Sequence, residues 1–262
     1  QGGSPFLFPP DFAFNGSQVR EKLRKEMQWN ENRMNVISSE ALSGHAAVGY
    51  TNAPEIADRL YQAFPEAKIL VGVREQASMI SSLYHQYLKM GGTLSLGASL
   101  ARSEDLPFPG SISLERFHYD RLIAHYKRLF GEERVMAYPL ERWKEDFAGF
   151  LEEFSAFLGL RIHAERLPTS RLHNRSEGLL AAKWLRRLSP LIFCTAYNGF
   201  SPYGHYKSFY DAEWIRRLLD RLIPASIERR HRERNLAWIR NRIGDRYAES
   251  NRTLAGQIGV PL

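Results

Sequence analysis

An arginine and a line of hydroxyl side chains stand where a short apolar run gives way to a helical pattern. Arg74 follows the run KILVGV, and Ser78 and Ser82 come after it, four residues apart. A guanidinium presents a planar fork of N–H donors that matches the oxygens of a phosphate, and a serine adds a hydroxyl donor. These residues indicate either an anion-binding site or an ion pair of Arg74 with Glu75 or Glu40 beside solvated serines.

The elements that would position these residues alternate between strand and helix patterns. We predict strands at 35–40, 68–74 and 134–140, and helices at 17–29, 53–64, 75–90, 113–130 and 143–160. Helices between successive strands predict a parallel sheet, so the expected fold class is α/β, a three-layer α/β/α arrangement. The run at 68–74 has no alternation, which predicts burial on both of its faces.

The ends of such strands are where ligands bind in open α/β sheets. Arg74 is the last residue of its predicted strand, and the N-terminus of the next helix favours an anion through its free N–H groups and its dipole. The remainder of the chain, 178–262, is predicted to be mostly helical. We therefore expect one domain over 1–262, with an α/β core at 1–177 and a helical C-terminal part.

Composition limits the class of protein. The chain has 262 residues and a net charge of +7, and no apolar run in it is long enough to span a bilayer. Its single cysteine, Cys194, cannot form an internal disulfide and favours a reducing, cytoplasmic compartment. The spacing of histidine and cysteine predicts no metal site.

Basic residues are concentrated near the C-terminus. The segment 214–246 carries ten arginines against four acidic residues. Such a segment is typical of a nucleic-acid-binding patch, of a surface that attracts an anionic ligand, or of a solvated helix face. Four apolar residues within it have near-helical spacing and predict one packed face: Leu236, Trp238, Ile239 and Ile243.

Several segments together resemble one enzyme family. The order Arg74, Ser82, Tyr84 resembles the 3′-phosphate-binding segment of sulfotransferases that use 3′-phosphoadenosine 5′-phosphosulfate (PAPS). Residues 122–160 are similar to the family's helix, strand, E-x-x-K-x-D turn and helix ending in FLGL. NVISSEALSGH resembles a strand of bacterial sulfotransferases, and the tail 249–262 resembles the closing segment of their carbohydrate-modifying members. The resemblance implies a P-loop-like sulfotransferase fold.

The resemblance also implies roles for individual residues. Arg74 and Ser82 would hold the 3′-phosphate of PAPS. Arg175 would belong to a basic loop that lies over this phosphate. Glu40 would stand where cytosolic members place a catalytic histidine and would take the proton of the acceptor hydroxyl. An ion pair with Arg74 or a turn cap is the alternative role for Glu40, and His45 is a second candidate for the base.

Two departures from the family pattern qualify these roles. The family's N-terminal phosphate loop, resembling P-K-[ST]-G-T-[ST], is absent, so we expect it upstream of Gln1 in a longer chain. Leu140 replaces a tyrosine that many members carry. We predict a sulfotransferase acting on a carbohydrate or small-molecule hydroxyl, with neither a nucleic-acid partner nor a metal. The alternatives are a non-catalytic sulfotransferase-like binding module and a nucleic-acid-binding protein.

Overall fold

The computed structural model describes most of the chain: residues 5–6, 10–44, 52–101, 110–163, 165, 178–192, 218 and 221–259. This part is mostly helical, with one two-stranded parallel sheet. The strands are β1 (Ile69–Val73) and β2 (Val135–Pro139). The helices are α1 (Gly16–Glu26), α2 (Ala53–Ala63), α3 (Gln76–Lys89), α4 (Leu96–Ala101), α5 (Tyr119–Phe130), α6 (Leu140–Glu145), α7 (Phe147–Leu158), α8 (Leu179–Ile192), α9 (Ala225–Ile243) and α10 (Ala248–Ile258).

The chain divides into two compact units. The first contains Gln1–Arg74, Glu115–Ala164 and Ala248–Leu262, and the second contains Glu75–Leu114 and Glu165–Tyr247. The predicted division between 177 and 178 stays a prediction. Within the described residues after 178, α8, α9 and α10 agree with the helical pattern expected there.

The sheet of the first unit confirms two of the predicted strands and their parallel direction. β1 and β2 pair from Ile69 with Val135 to Val73 with Pro139. The expected burial of β1 on both faces is wrong, because Leu70 is 40% exposed. Ile69 and Val71 pack towards the core that α5 helps to form, while alternate residues face away from it.

The predicted strand at 35–40 is wrong. The side chain of Asn35 donates to the carbonyls of Asn30 and Arg33, at 2.9 and 3.1 Å, and accepts from the Asn30 N–H. Such local side-chain bonds compete with the bonds of a strand ladder. Val36 is 68% exposed, so no apolar burial favours a strand here, and a short 3₁₀ helix follows at Glu40–Ser43.

Two predicted long helices are shorter or divided. α5 begins at Tyr119, after a separate 3₁₀ turn at Glu115–Phe117, and it ends at Phe130, followed by Gly131, whose φ is 92°. The helix predicted at 143–160 is two helices, α6 and α7. Asp146 separates them because its side chain accepts the N–H of Gly149 at 2.9 Å and caps α7.

The core of the first unit lies where α2 and α5 meet the sheet. Its buried members are Phe6, Leu23, Ile56, Ala57, Leu60, Ala63, Tyr126, Phe130 and Val135. α1 closes on α2 at Gly16, where an added Cβ would lie 2.6 Å from the backbone of Gln62. A glycine is therefore required for this close approach of the two helices.

The second unit is built on mutual contacts among α3, α8 and α9. On α9, Ile239 is fully buried, but Trp238 is 44% exposed, so its predicted place on the packed face is wrong. Asn235, one turn before Ile239, is buried on this face, whereas Trp238 is not. No helix in the described part of the chain is long and apolar enough to cross a membrane.

Tyr87 organises the loop after α3. Its hydroxyl oxygen accepts the N–H groups of Thr93 and Leu94, both at 2.9 Å. Gly92 and Gly110 lie so close to the Tyr87 ring that a Cβ at either position would overlap it. The buried ring therefore fixes two separate loop segments of the second unit.

Candidate functional site

Arg74 and Glu141 come together at the carboxyl end of the parallel sheet. Val73 pairs with Pro139, so the residues just after each strand are neighbours at this edge. The Nε of Arg74 lies 4.0 Å from the Oε1 of Glu141, and the two side chains are 35% and 44% exposed. An ion pair at this distance and exposure is weak. The guanidinium is therefore held loosely and retains donors that an anion could use.

Glu141, the acidic residue that the structure places beside Arg74, was not among those considered in the sequence. Glu75 belongs to the second unit, where its carboxylate accepts the Ser78 N–H at 2.8 Å and the Nε of Arg240 at 3.1 Å. Burial acts to raise the pKa of Glu75, but the hydrogen bonds from Ser78 and Arg240 outweigh it, so the pKa is lowered. Glu75 is thus an ionised N-cap of α3.

This cap changes what the N-terminus of α3 can do. The sequence predicts that its free N–H groups attract an external anion. In the structure the carboxylate of Glu75 already accepts one of them, and it supplies the negative charge that the helix dipole favours. An incoming phosphate at this N-terminus would therefore compete with Glu75.

The three serines of α3 have different environments. Ser82 is exposed, as a phosphate-binding hydroxyl requires, and Ser78 is half-buried beside its capping bond. Ser81 is half-buried, and its oxygen accepts the side-chain N–H of Asn235 at 3.2 Å. Arg74 is the last residue of the first unit, and these serines belong to the second unit.

The side chains of three other predicted site residues lie outside the described part of the structure. Glu40 begins the 3₁₀ helix Glu40–Ser43 and does not end a strand, and its side chain lies outside the described part of the structure. His45 and Arg175 both lie outside the described residues. Their roles stay predictions.

Leu140, which departs from the family pattern, lies beside β1. A Cβ at Gly72 would be 3.5 Å from Leu140 Cδ2 and 3.2 Å from the Tyr138 hydroxyl. Tyr138 packs against Phe150, with ring centroids 4.8 Å apart, and burial raises the pKa of Tyr138. This part of the sheet edge is therefore apolar and closely packed.

Lys183, Asn235 and Ser81 form a polar cluster in the second unit that the sequence did not predict. Lys183 Nζ donates to Asn235 Oδ1 at 2.9 Å, and Asn235 in turn contacts Ser81. Asn235 is 6% exposed and occupies the apolar face of α9, one turn from Ile239. The sequence does show Asn235 at helical spacing from apolar residues of α9, which could have indicated a buried polar group. The spacing does not predict that Lys183 is its partner.

In the described residues no group of three or more histidine, cysteine or acidic side chains is arranged to hold a metal ion. The site chemistry that the structure does describe is a loosely paired guanidinium at the sheet edge, an exposed serine on α3 and the cluster around Lys183. No protein-family model, curated protein or solved structure matches this chain.

Proposed function

We propose that the chain is a PAPS-dependent sulfotransferase with the three-layer α/β/α, P-loop-like fold of that family. It transfers a sulfuryl group to the hydroxyl of an acceptor, for which a carbohydrate is the expected class. The observation that carries the proposal is the place of Arg74, immediately after a parallel strand and with its guanidinium partly exposed. Ligands of α/β sheets bind beyond this end of the strands.

In this proposal Arg74 binds the 3′-phosphate of PAPS, and Ser82 is assigned to the same phosphate by the resemblance to the family. Arg74 supplies charge-assisted N–H donors, and the exposed hydroxyl of Ser82 adds a further donor. Each charge-assisted bond contributes about 1.5–3 kcal/mol. Arg175 is assigned to the same phosphate by resemblance alone.

The transfer step requires a base near the acceptor. The acceptor oxygen attacks sulfur, a new O–S bond forms, and the bond from sulfur to the leaving adenosine 3′,5′-bisphosphate breaks. Glu40 is assigned to take the proton of the acceptor hydroxyl, with His45 as the second candidate. Positioning and electrostatic stabilisation supply most of the rate, as in phosphoryl transfer.

The test is calorimetric titration of adenosine 3′,5′-bisphosphate into the chain and two variants. Arg74→Ala should weaken binding at least tenfold. Arg142→Ala is the matched control, because Arg142 is also 35% exposed, belongs to the same unit and pairs with Glu153 at 2.6 Å. It should change affinity less than twofold. Failure of the folded wild-type chain to bind, or equal losses in both variants, would overturn the assignment of Arg74.

A second candidate function rests on α9. Five of its arginines are exposed: Arg229, Arg230, Arg234, Arg240 and Arg242. This charge supports binding to the phosphate backbone of a nucleic acid, whose affinity falls steeply with salt. DNA or RNA binding that weakens with salt and is unchanged by Arg74→Ala would favour this function over sulfuryl transfer.

A further inference from the structure

The polar cluster of the second unit has a defined direction of hydrogen bonding. An ammonium only donates, so the bond from Lys183 fixes the side-chain oxygen of Asn235 towards Lys183 and its NH₂ group towards Ser81. Ser81 therefore accepts through its oxygen. Its own O–H has no acceptor in the described part of the chain and is left to donate to a ligand.

A second cation lies one turn further along α8. Arg186 donates from Nη1 to the carbonyl of Thr93 at 3.2 Å. Its Nε is buried and has no hydrogen-bond partner among the described residues. Residues three apart on a helix share a face, so Arg186 and Lys183 stand on the same side of α8. A buried N–H donor without an acceptor is costly and indicates a missing partner.

Glu228, a carboxylate of the described residues that acts on Lys183, is already engaged by backbone N–H groups. The two carboxylate oxygens of Glu228 accept the N–H groups of Leu179 and Leu180, at 2.7 and 3.1 Å, at the start of α8. Burial and the charge of Arg186 lower the pKa of Lys183, and Glu228 only partly opposes them. Two cations are thus held together with an excess of positive charge.

We propose that Lys183, Arg186 and Ser81 form a binding site for a tetrahedral oxyanion, the sulfate or phosphate group of a ligand. The ammonium, the guanidinium Nε and the serine hydroxyl offer donors of three kinds, and Asn235 holds two of these side chains in place. The site lies within the second unit and shares no residue with the donor site proposed above, to which Arg74 and Ser82 are assigned.

The experiment is thermal unfolding of the whole chain in sodium sulfate and in sodium phosphate, each against sodium chloride at equal ionic strength. The rise of the midpoint with anion concentration gives an apparent dissociation constant. Lys183→Met and Arg186→Met should each weaken anion binding at least tenfold, and Ser81→Ala about threefold. Lys183→Arg should retain most of the affinity. The anion that stabilises the chain at the lower concentration indicates whether the natural ligand carries a sulfate or a phosphate group.

Two controls keep the result specific. Arg187→Met removes an exposed arginine on the same helix, one whose guanidinium lies 5.4 Å from the Trp184 ring centre, and should leave anion binding unchanged. Arg142→Met, which removes an arginine of the first unit that pairs with Glu153, should also leave it unchanged. The proposal is overturned if neither anion stabilises the wild-type chain more than chloride does, if Arg187→Met or Arg142→Met weakens binding as much as Arg186→Met, or if Arg186→Met and Ser81→Ala both have no effect.

Discussion

Glu141 lies 4.0 Å from Arg74 at the carboxyl end of the two parallel strands. The register of the strands brings the two residues together, because Val73 pairs with Pro139, Arg74 follows Val73, and Glu141 is the second residue after Pro139. A carboxylate so placed partly neutralises the guanidinium that we assign to the donor phosphate. Glu141 is therefore a competitor for Arg74.

Replacing this competitor should tighten phosphate binding. We expect Glu141→Gln to strengthen the binding of adenosine 3′,5′-bisphosphate by up to about fivefold, the range that a partly exposed ion pair allows. Calorimetry measures the change. Glu153→Gln, which removes the acidic partner of Arg142 in the same unit, should have no effect. Weaker binding by Glu141→Gln would show instead that Glu141 supports the site.

The packing of Tyr87 predicts a contrast between two glycines. Gly92→Ala should lower the free energy of unfolding by about 1–3 kcal/mol, because the new methyl group would overlap the Tyr87 ring. Gly97→Ala adds the same methyl group in α4, where its nearest neighbour would be Trp238 at an ordinary 3.8 Å. It should be neutral or stabilising by up to about 1 kcal/mol. Urea unfolding of both variants tests the contrast, and equal effects would refute it.

His231 predicts a pH dependence of stability. Burial is the main cause that lowers its pKa, Lys183 and Arg234 lower it further, and Glu228 acts in the opposite direction. The folded state therefore binds a proton on His231 less readily than the unfolded state, whose value is about 6.5. The contribution to stability is complete above that value and is lost as pH falls through the folded pKa.

We expect His231→Gln to reduce the difference in unfolding free energy between pH 8 and pH 5, measured in urea at constant ionic strength. Arg234→Gln should reduce the difference less, because it removes one of the lesser causes of the shift and leaves burial in place. A wild-type pH difference that persists in His231→Gln would assign the effect to other groups.

Local patterns predicted the elements with strong periodicity. The strands β1 and β2 and the helices α2 and α3 lie within one residue of their predicted bounds at each end, because their apolar stripes and flanking turns are distinct. The break at Asp146 was missed because one acidic residue does not disturb a Phe and Leu stripe. The strand at 35–40 was wrong because the side chain of Asn35 forms local bonds that an apolar pattern does not report.

The candidate site was predictable only in part. The end of a strand follows from sequence, so the position of Arg74 could be predicted. Its pairing with Glu141 depends on the register of two distant strands, and the bond from Lys183 to Asn235 depends on how α8 meets α9. Contacts of this kind belong to tertiary packing and leave no mark on local spacing.

The carboxylate of Glu75, which caps α3, competes within the molecule with any anion that would bind at the N-terminus of this helix. A carboxylate tethered three residues from the N–H that it accepts has an effective concentration in the millimolar range or above. A free anion present at lower concentration does not displace Glu75 from the helix end. We therefore expect anion binding near the start of α3 to depend on side-chain cations, with little contribution from the backbone N–H groups of this helix.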